Sequence, residues 1–219
     1  MNEVAVGDAP PVFDETFLRA FDALLRWRRD VRRFRPDPVD PRLIESLAQA
    51  AALAPSVGAS QPWRFVLVES AARREAATAS FLRCNAAALD AYEGERARLY
   101  ARLKLAGLRE APVHLAVFCD HETAAGHGLG RATMPEMLDY SAVAAVHTLW
   151  LAARVHGLGV GWVSILDPAE IAAALDAPRG WRLIAYLCVG YPLEDHLDPD
   201  LERAGWQPRL AQTAQLHRR

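Results

Sequence analysis

Apolar residues recur at helical spacing over residues 14–29, where Phe17, Phe21, Leu24 and Leu25 share one face. A second helix is predicted over 41–53, opened by Pro41, whose fixed φ suits a first helical turn. Residues 64–68 read as the first strand. A long helical pattern covers 71–108 with a break near 92–94, and its charged half at 93–102 reads as solvent-facing or lid-like. A strand is expected at 113–119, then a helix over 134–156 that is apolar nearly all round. Such a helix must be buried on most of its faces, in a core or against a partner chain. Strands follow at 161–165 and 183–189, and the polar tail at 193–219 is too irregular to pack alone. Four strands among five helices predict an α+β chain with a mixed layer rather than a doubly wound sheet, because strict strand–helix alternation is missing. No repeat, low-complexity tract or linker divides the 219 residues, so one domain is expected.

Composition narrows the class. The chain is 52% hydrophobic and 24% charged, which is globular, and its net charge of −2 gives no overall pull toward nucleic acid or anionic membrane. The three cysteines, Cys84, Cys119 and Cys188, lie far apart with no Cys-x-x-Cys pair, which argues against a disulfide framework or zinc ribbon. The acidic start at 1–11 lacks a basic segment followed by an apolar stretch, so no signal peptide is expected. The most apolar stretch, 140–155, is interrupted by His147 and Arg154 and is too short to span a bilayer. A cytoplasmic protein with no membrane partner is the expectation.

Three segments carry candidate chemistry. Residues 28–35 hold five arginines, Arg28, Arg29, Arg32, Arg33 and Arg35, around Asp30 and Val31. At a helix end they are either an anion site or a complement to the negative helix terminus. A carboxylate at the centre favours a site that grips a phosphate and moves a proton. Residues 54–65 join a helix to a strand through Ser56, Val57, Gly58, Ser60 and Gln61. Small residues let backbone amides approach a ligand, and Gln61 offers a bidentate amide to a heterocycle edge. The plainer account, a turn with Pro62 ending the helix and Trp63 in the core, leaves the serines and glutamine unexplained. Residues 157–168 run through three glycines into Val163, Ser164 and Ile165. The glycines follow a helix and precede a strand, the wrong order for a dinucleotide fingerprint, so Gly157 reads as a helix C-cap. Ser164, in an apolar strand, needs a partner from backbone or ligand. His114, His121, Glu122, His127 and Asp120 show no metal-ligand spacing, and no metal is expected.

Taken together, Arg28-Arg29-Asp30-Val31-Arg32, Ala54-Pro55-Ser56 with Gln61-Pro62-Trp63, and Gly159-Val160-Gly161-Trp162 followed by Gly190-Tyr191-Pro192 resemble the flavin-binding framework of the nitroreductase family, over about 13–209. Where that family usually has serine in its first motif, this chain has Asp30. With Ser164 and the segment Leu129-Gly130-Arg131-Ala132-Thr133-Met134-Pro135-Glu136, the departure resembles the branch that consumes its flavin to make 5,6-dimethylbenzimidazole. The resemblance implies a nitroreductase-like fold with a central mixed sheet flanked by helices. It implies a homodimer, arranged like a domain swap, with FMN at the interface. Arg28, Arg29 and Arg32 would grip the phosphate with Arg203 as a further candidate, and Ser56, Val57 and Gly58 would come from the partner. Gln61 would contact the flavin, the 163–165 backbone would line its ring, 134–156 would be the interface helix, and 85–108 a lid. Reduced FMN would be the substrate with dioxygen, and NAD(P)H would act only through a separate flavin reductase, a possible partner. Asp30 would accept a proton and Ser164 would orient the flavin. The alternatives are an NAD(P)H-dependent nitroreductase or reductive dehalogenase that keeps its FMN, and a non-enzymatic flavin-binding module.

Overall fold

A computed structural model describes residues 10–103, 106–210 and 216–219; parts of the acidic start, the lid-like stretch and the tail therefore lie outside the described residues. Helix α1 (Glu15–Trp27) starts at Asp14, whose side chain accepts from the Phe17 amide. Helix α2 (Pro41–Ala51) starts at Asp40, which caps the Arg42 amide. A 3-10 turn (Val57–Ala59) leads into β1 (Trp63–Leu67). Next come α3 (Ala71–Asp90), α4 (Gly94–Arg102) and α5 (Gly107–Glu110), so the long helical pattern is three pieces rather than one helix with a break. Strand β2 (Val113–Asp120), a second 3-10 turn (Ala125–Gly128) and α6 (Met137–Val155) follow. The chain continues with β3 (Gly159–Val163), α7 (Pro168–Ala174), β4 (Trp181–Gly190) and the short α8 (Asp200–Arg203).

The sheet order is β1-β2-β4-β3, and its three ladders are all antiparallel. The expected mixed sheet is thus corrected. Parallel pairing is confined to one isolated bridge, Asp30 with Val160, laid along the outer edge of β3. Residues of β2 from Val113 to Cys119 are buried on both faces, because helices cover both sides of the sheet. Leu115, Val117, Ala185 and Leu187 face α2 and α6, against Leu47, Ala142, Val146 and Leu149. Ala116, Phe118, Tyr186 and Cys188 face α3, α5 and α7, against Ala77, Phe81, Leu108 and Ile171. Burying each of the larger of these side chains contributes roughly 2–3 kcal/mol before entropy is charged.

Two helices keep apolar surface outside this core. The face of α1 predicted from its spacing exists, yet Phe17, Phe21 and Leu25 are exposed and no residue of α1 is buried. Helix α6 buries Leu138, Ala142, Ala145, Val146, Leu149 and Ala153 but exposes Tyr140, Val143 and Val155. Among the described residues no helix is long and apolar enough to cross a membrane.

Candidate functional site

Position 30 is where α1 hands the chain to the sheet edge. Beyond the α1 cap at Arg28, the chain runs alongside β3: the Val31 amide donates to the Val160 carbonyl at 3.0 Å, and the Trp162 amide donates to Asp30 Oδ1 at 3.0 Å. The glycines of β3 make this possible. A Cβ on Gly161 would lie 2.2 Å from the Val31 carbonyl oxygen, and one on Gly159 2.6 Å from a Val31 methyl. The glycine run therefore serves a close backbone approach. Its first member, Gly157, does take the left-handed turn expected after a helix, at φ +72° just past the end of α6.

A cleft of about 210 Å³ opens beside this segment, and Arg28, Arg29, Asp30, Arg32 and Arg203 all line it with Trp150. Arg28 lies over the Trp150 ring at 4.9 Å, while the Trp150 indole N–H donates to the Arg29 carbonyl at 3.3 Å. Arg29 Nε donates to the Leu197 carbonyl at 2.6 Å, which holds the tail against the cleft. Arg33 also lines the cleft but is paired with Glu110 at 2.9 Å, and Arg35 lies outside it, paired with Asp37 at 2.7 Å. The run thus divides into three cleft arginines without a close carboxylate clamp of this kind, one that is paired at the cleft, and one outside it. Arg203 sits on α8 and pairs with Asp200 at 2.5 Å.

The electrostatics suit an anion. Burial is the main influence lowering the Arg28 and Arg29 guanidinium pKa, so clustered cations are held there at a cost that a bound anion would offset. Arg32 Nε is buried without a hydrogen-bond partner; the nearest carboxylate oxygen, Asp30 Oδ2, is 3.5 Å away. An orphaned buried donor is a place for a ligand acceptor. Asp30 is pushed above the ordinary carboxylate value, first by burial, against the Trp162 amide bond and the Arg32 charge. The result is a carboxyl that holds or takes a proton more readily than an exposed aspartate.

Ser164 falls outside this arrangement. It was expected inside a strand with a buried hydroxyl, but β3 ends at Val163 and Ser164 is exposed. Val163 is buried and Ile165 half-buried, anchoring the serine between them. The predicted strand sat two residues too far along because the glycines look like a loop in sequence.

The third group lies at the opposite edge. Ser56, Val57, Gly58 and Gln61 precede β1, three strand spacings from β3, or roughly 14 Å across the sheet. Gly58, Ala59 and Gln61 all have left-handed φ, of +57°, +54° and +44°. Strain of this kind in non-glycine residues persists where surroundings enforce it. The Gln61 amide donates to Ser56 Oγ at 3.1 Å, leaving the serine proton free to donate. In one chain, this loop and the arginine cleft do not meet.

One group could hold a metal: Cys119, His121 and Asp139, whose ligand atoms lie within 4.8 Å of one another. These atoms are already satisfied. Asp139 Oδ1 contacts His121 Nε2 at 2.7 Å and Oδ2 accepts from Arg182 Nη1 at 2.9 Å. Burial, with Asp139 beside it, pushes the Cys119 thiol up to about 12, far from a thiolate. The cluster serves as a clamp between β2, β4 and α6.

Sequence reasoning missed Trp150, Arg154 and the acidic tail residues Glu194, Asp195, Asp198 and Asp200, which complete the cleft wall. Trp150 and Arg154 are four apart on one helix face, a readable signal; the tail residues gave none.

Comparison with known proteins fits this architecture. The nitroreductase family model matches residues 25–191. A 5,6-dimethylbenzimidazole synthase of Rhodospirillum rubrum is 60% identical, over 91% of this chain and 94% of its own. A 5,6-dimethylbenzimidazole synthase of Rhodobacter capsulatus is 50% identical, over 90% of this chain and 96% of its own. Among solved structures, an iodotyrosine deiodinase bound to FMN and 3-iodo-L-tyrosine superposes with a TM-score of 0.70 at 24% identity, covering 90% of this chain and 97% of that one. A nitroreductase-like protein from Streptococcus mutans gives 0.65 at 19% identity, covering 92% and 99%.

Proposed function

The chain belongs to the nitroreductase family and has 5,6-dimethylbenzimidazole synthase activity, and on that premise we propose that it fragments reduced FMN with dioxygen in a site shared by two copies. The flavin supplies the carbon framework and the electrons. Its dimethylbenzene ring and two nitrogens become the product as both nitrogens part from the pyrimidine ring, which leaves as a separate fragment. The ribityl C1′ closes the imidazole, and the other four ribityl carbons leave as erythrose 4-phosphate. The single observation that carries the reading is a buried carboxyl, Asp30, fixed by the Trp162 amide inside an arginine-lined cleft where Arg32 Nε has no hydrogen-bond partner.

Arg28, Arg29 and Arg32 would bind the phosphate, with Arg203 on the tail side, and Arg32 Nε would donate to a flavin or phosphate oxygen. Asp30 takes the proton that must leave C1′ or a ring nitrogen. Its amide bond from Trp162 fixes one oxygen and leaves the other turned toward Arg32. The Val163 and Ile165 backbone would line the ring, with exposed Ser164 donating to it. Ser56, Val57, Gly58 and Gln61 would reach the same flavin from the partner copy. The roughly 14 Å between the two sheet edges supports this arrangement. The exposed faces of α1 and α6 supply apolar surface for such a contact. The helices at 85–102 would cover the flavin and exclude water.

The fate of the flavin tests the reading. The enzyme is mixed with FMN, a flavin reductase and NADH in air, with catalase to remove free peroxide. The chromophore should disappear for good, with dimethylbenzimidazole formed one for one, and label at the ribityl C1′ should appear in the imidazole carbon. Without dioxygen, reduced flavin should stay intact. Full recovery of FMN with consumption of an added nitroaromatic or halogenated acceptor would instead mark an ordinary reductase.

A further inference from the structure

The strained loop before β1 is held at two points. Ser141, buried on α6, donates to the Met137 carbonyl at 2.6 Å and accepts from the Val57 amide at 3.0 Å. On the other side the loop interlocks with the 3-10 turn before α6. A Cβ on Gly126 would lie 2.8 Å from the Gly58 carbonyl oxygen, and one on Gly58 3.0 Å from the Gly126 carbonyl oxygen. Both glycines have left-handed φ, +78° and +57°, so neither position tolerates a side chain. The turn thus fixes where the loop lies, and the Ser141 hydroxyl fixes which way its Val57 amide points.

A buried amide could be satisfied by water or another carbonyl at this turn. Here a side chain of α6 does it, and α6 is also the helix whose outer stripe, Tyr140 and Val143, is exposed. Tyr140 and Val143 flank Ser141 in sequence, so the residue that orients the loop belongs to the same turn of helix as the exposed stripe. We propose that Ser141 is a positioning residue for the reaction: it sets the 56–58 backbone relative to α6, and so relative to the flavin that the partner copy binds. This rests on the reading of 56–58 as flavin contacts. Ser141 itself touches no flavin. Without it the loop would lose its fixed orientation while the arginine cleft, at the other sheet edge, would be unchanged.

Ser141→Ala removes both hydrogen bonds and suits a helix. Ser141→Thr keeps the hydroxyl. Three readouts separate positioning from mere stability: thermal midpoint, the visible spectrum of bound oxidised FMN, and dimethylbenzimidazole formed per reduced FMN oxidised. Ser141→Ala should lower that yield roughly tenfold, as expected for a reacting group displaced by a fraction of an ångström. The lost fraction should return as intact FMN with one hydrogen peroxide per flavin, the two-electron oxidation by dioxygen alone. Ser141→Thr should restore the yield. If Ser141→Ala does not fold, Ser141→Cys, of similar volume and with a poor acceptor, takes its place. A lower midpoint with the parent's yield and spectrum overturns the proposal. A parent enzyme that returns all its FMN overturns the fragmentation reading instead. The bound-flavin spectrum then decides: altered in Ser141→Ala and restored in Ser141→Thr supports the positioning role, and unaltered overturns it.

Discussion

The two edges of the sheet are built on opposite plans. At β3, backbone order creates the site: a bridge, two glycines and an amide-to-carboxylate bond lay the Arg28–Arg32 segment flat, and the tail closes over it through the Arg29–Leu197 contact. At β1, the 56–61 loop is strained at Ala59 and Gln61 and held from behind by Ser141 and Gly126. The first edge gathers many charges around its cleft; at the second, the charge beside the loop is Arg64, which donates to the Gln61 carbonyl at 3.0 Å and pairs with Asp120 at 2.8 Å. On the proposed reading, one chain would carry two unlike halves of a site, one to grip the flavin and one to position it.

Changes at the two edges should fail differently. The largest effect is expected at Asp30. Asp30→Asn should keep the fold and FMN binding but lower product formation by at least ~100-fold, the scale of losing a general base. Because burial raises Asp30 above its ordinary value of 3.8, the base form fills only above that pH. Parent activity should therefore rise with pH along a limb lying higher than that of an exposed aspartate, and Asp30→Asn should lack the limb. Ser164→Gly, exposed and replaceable by water, should cost less. Parent-level product from Asp30→Asn would reduce Asp30 to charge balance for the arginines.

A change between the halves comes next. Val143→Arg, on the exposed stripe of α6, should turn an assembly of about twice the 24.1 kDa chain mass into monomers, read by light scattering. FMN affinity should fall by about tenfold or more, equivalent to some 1.4 kcal/mol per decade. A monomer that still binds FMN as tightly as the parent would remove the shared site.

The smallest effect on the reaction is expected midway, in β2, where His114 Nδ1 meets the Tyr186 hydroxyl at 3.0 Å. Burial, with Arg74 nearby, lowers His114 to about 4. An unfolded histidine takes its proton near 6.5, so stability present above that pH is lost as pH falls toward about 4. The loss is roughly 3 kcal/mol at 1.36 kcal/mol per unit. His114→Phe should start less stable at pH 7, by about 1–3 kcal/mol for the stranded Tyr186 hydroxyl. It should then lose less between pH 6.5 and 4, as denaturant midpoints would show. Neither flavin binding nor product yield should follow it, which would separate sheet stability from both half-sites.

Much of this was legible in the sequence. Phe17, Phe21 and Leu25 announced α1, and Pro41 announced α2, because periodicity and a proline at a first turn are local signals. The cleft arginines and Asp30 were legible as chemistry because charge clustered around a carboxylate is unusual. The sequence was silent on which arginines are paired, since Glu110 reaches Arg33 only in three dimensions. The start of β3 was misplaced because Gly159 resembles a turn until the chain it must accommodate, Val31, is seen beside it. Antiparallel pairing throughout was likewise hidden, because strand order depends on contacts far apart in the chain.

That same bridge has a bearing on solubility. An outermost strand offers unpaired amides and carbonyls to any neighbouring chain, a common start of aggregation. Here the Val160 carbonyl and the Trp162 amide are taken by the segment that carries the arginines and Asp30. The arginine-bearing segment is therefore also the sheet's outer hem. Loosening it would bare a sticky strand, so the contacts that lay Asp30 and Val31 against β3 guard the protein's dispersion in solution as well.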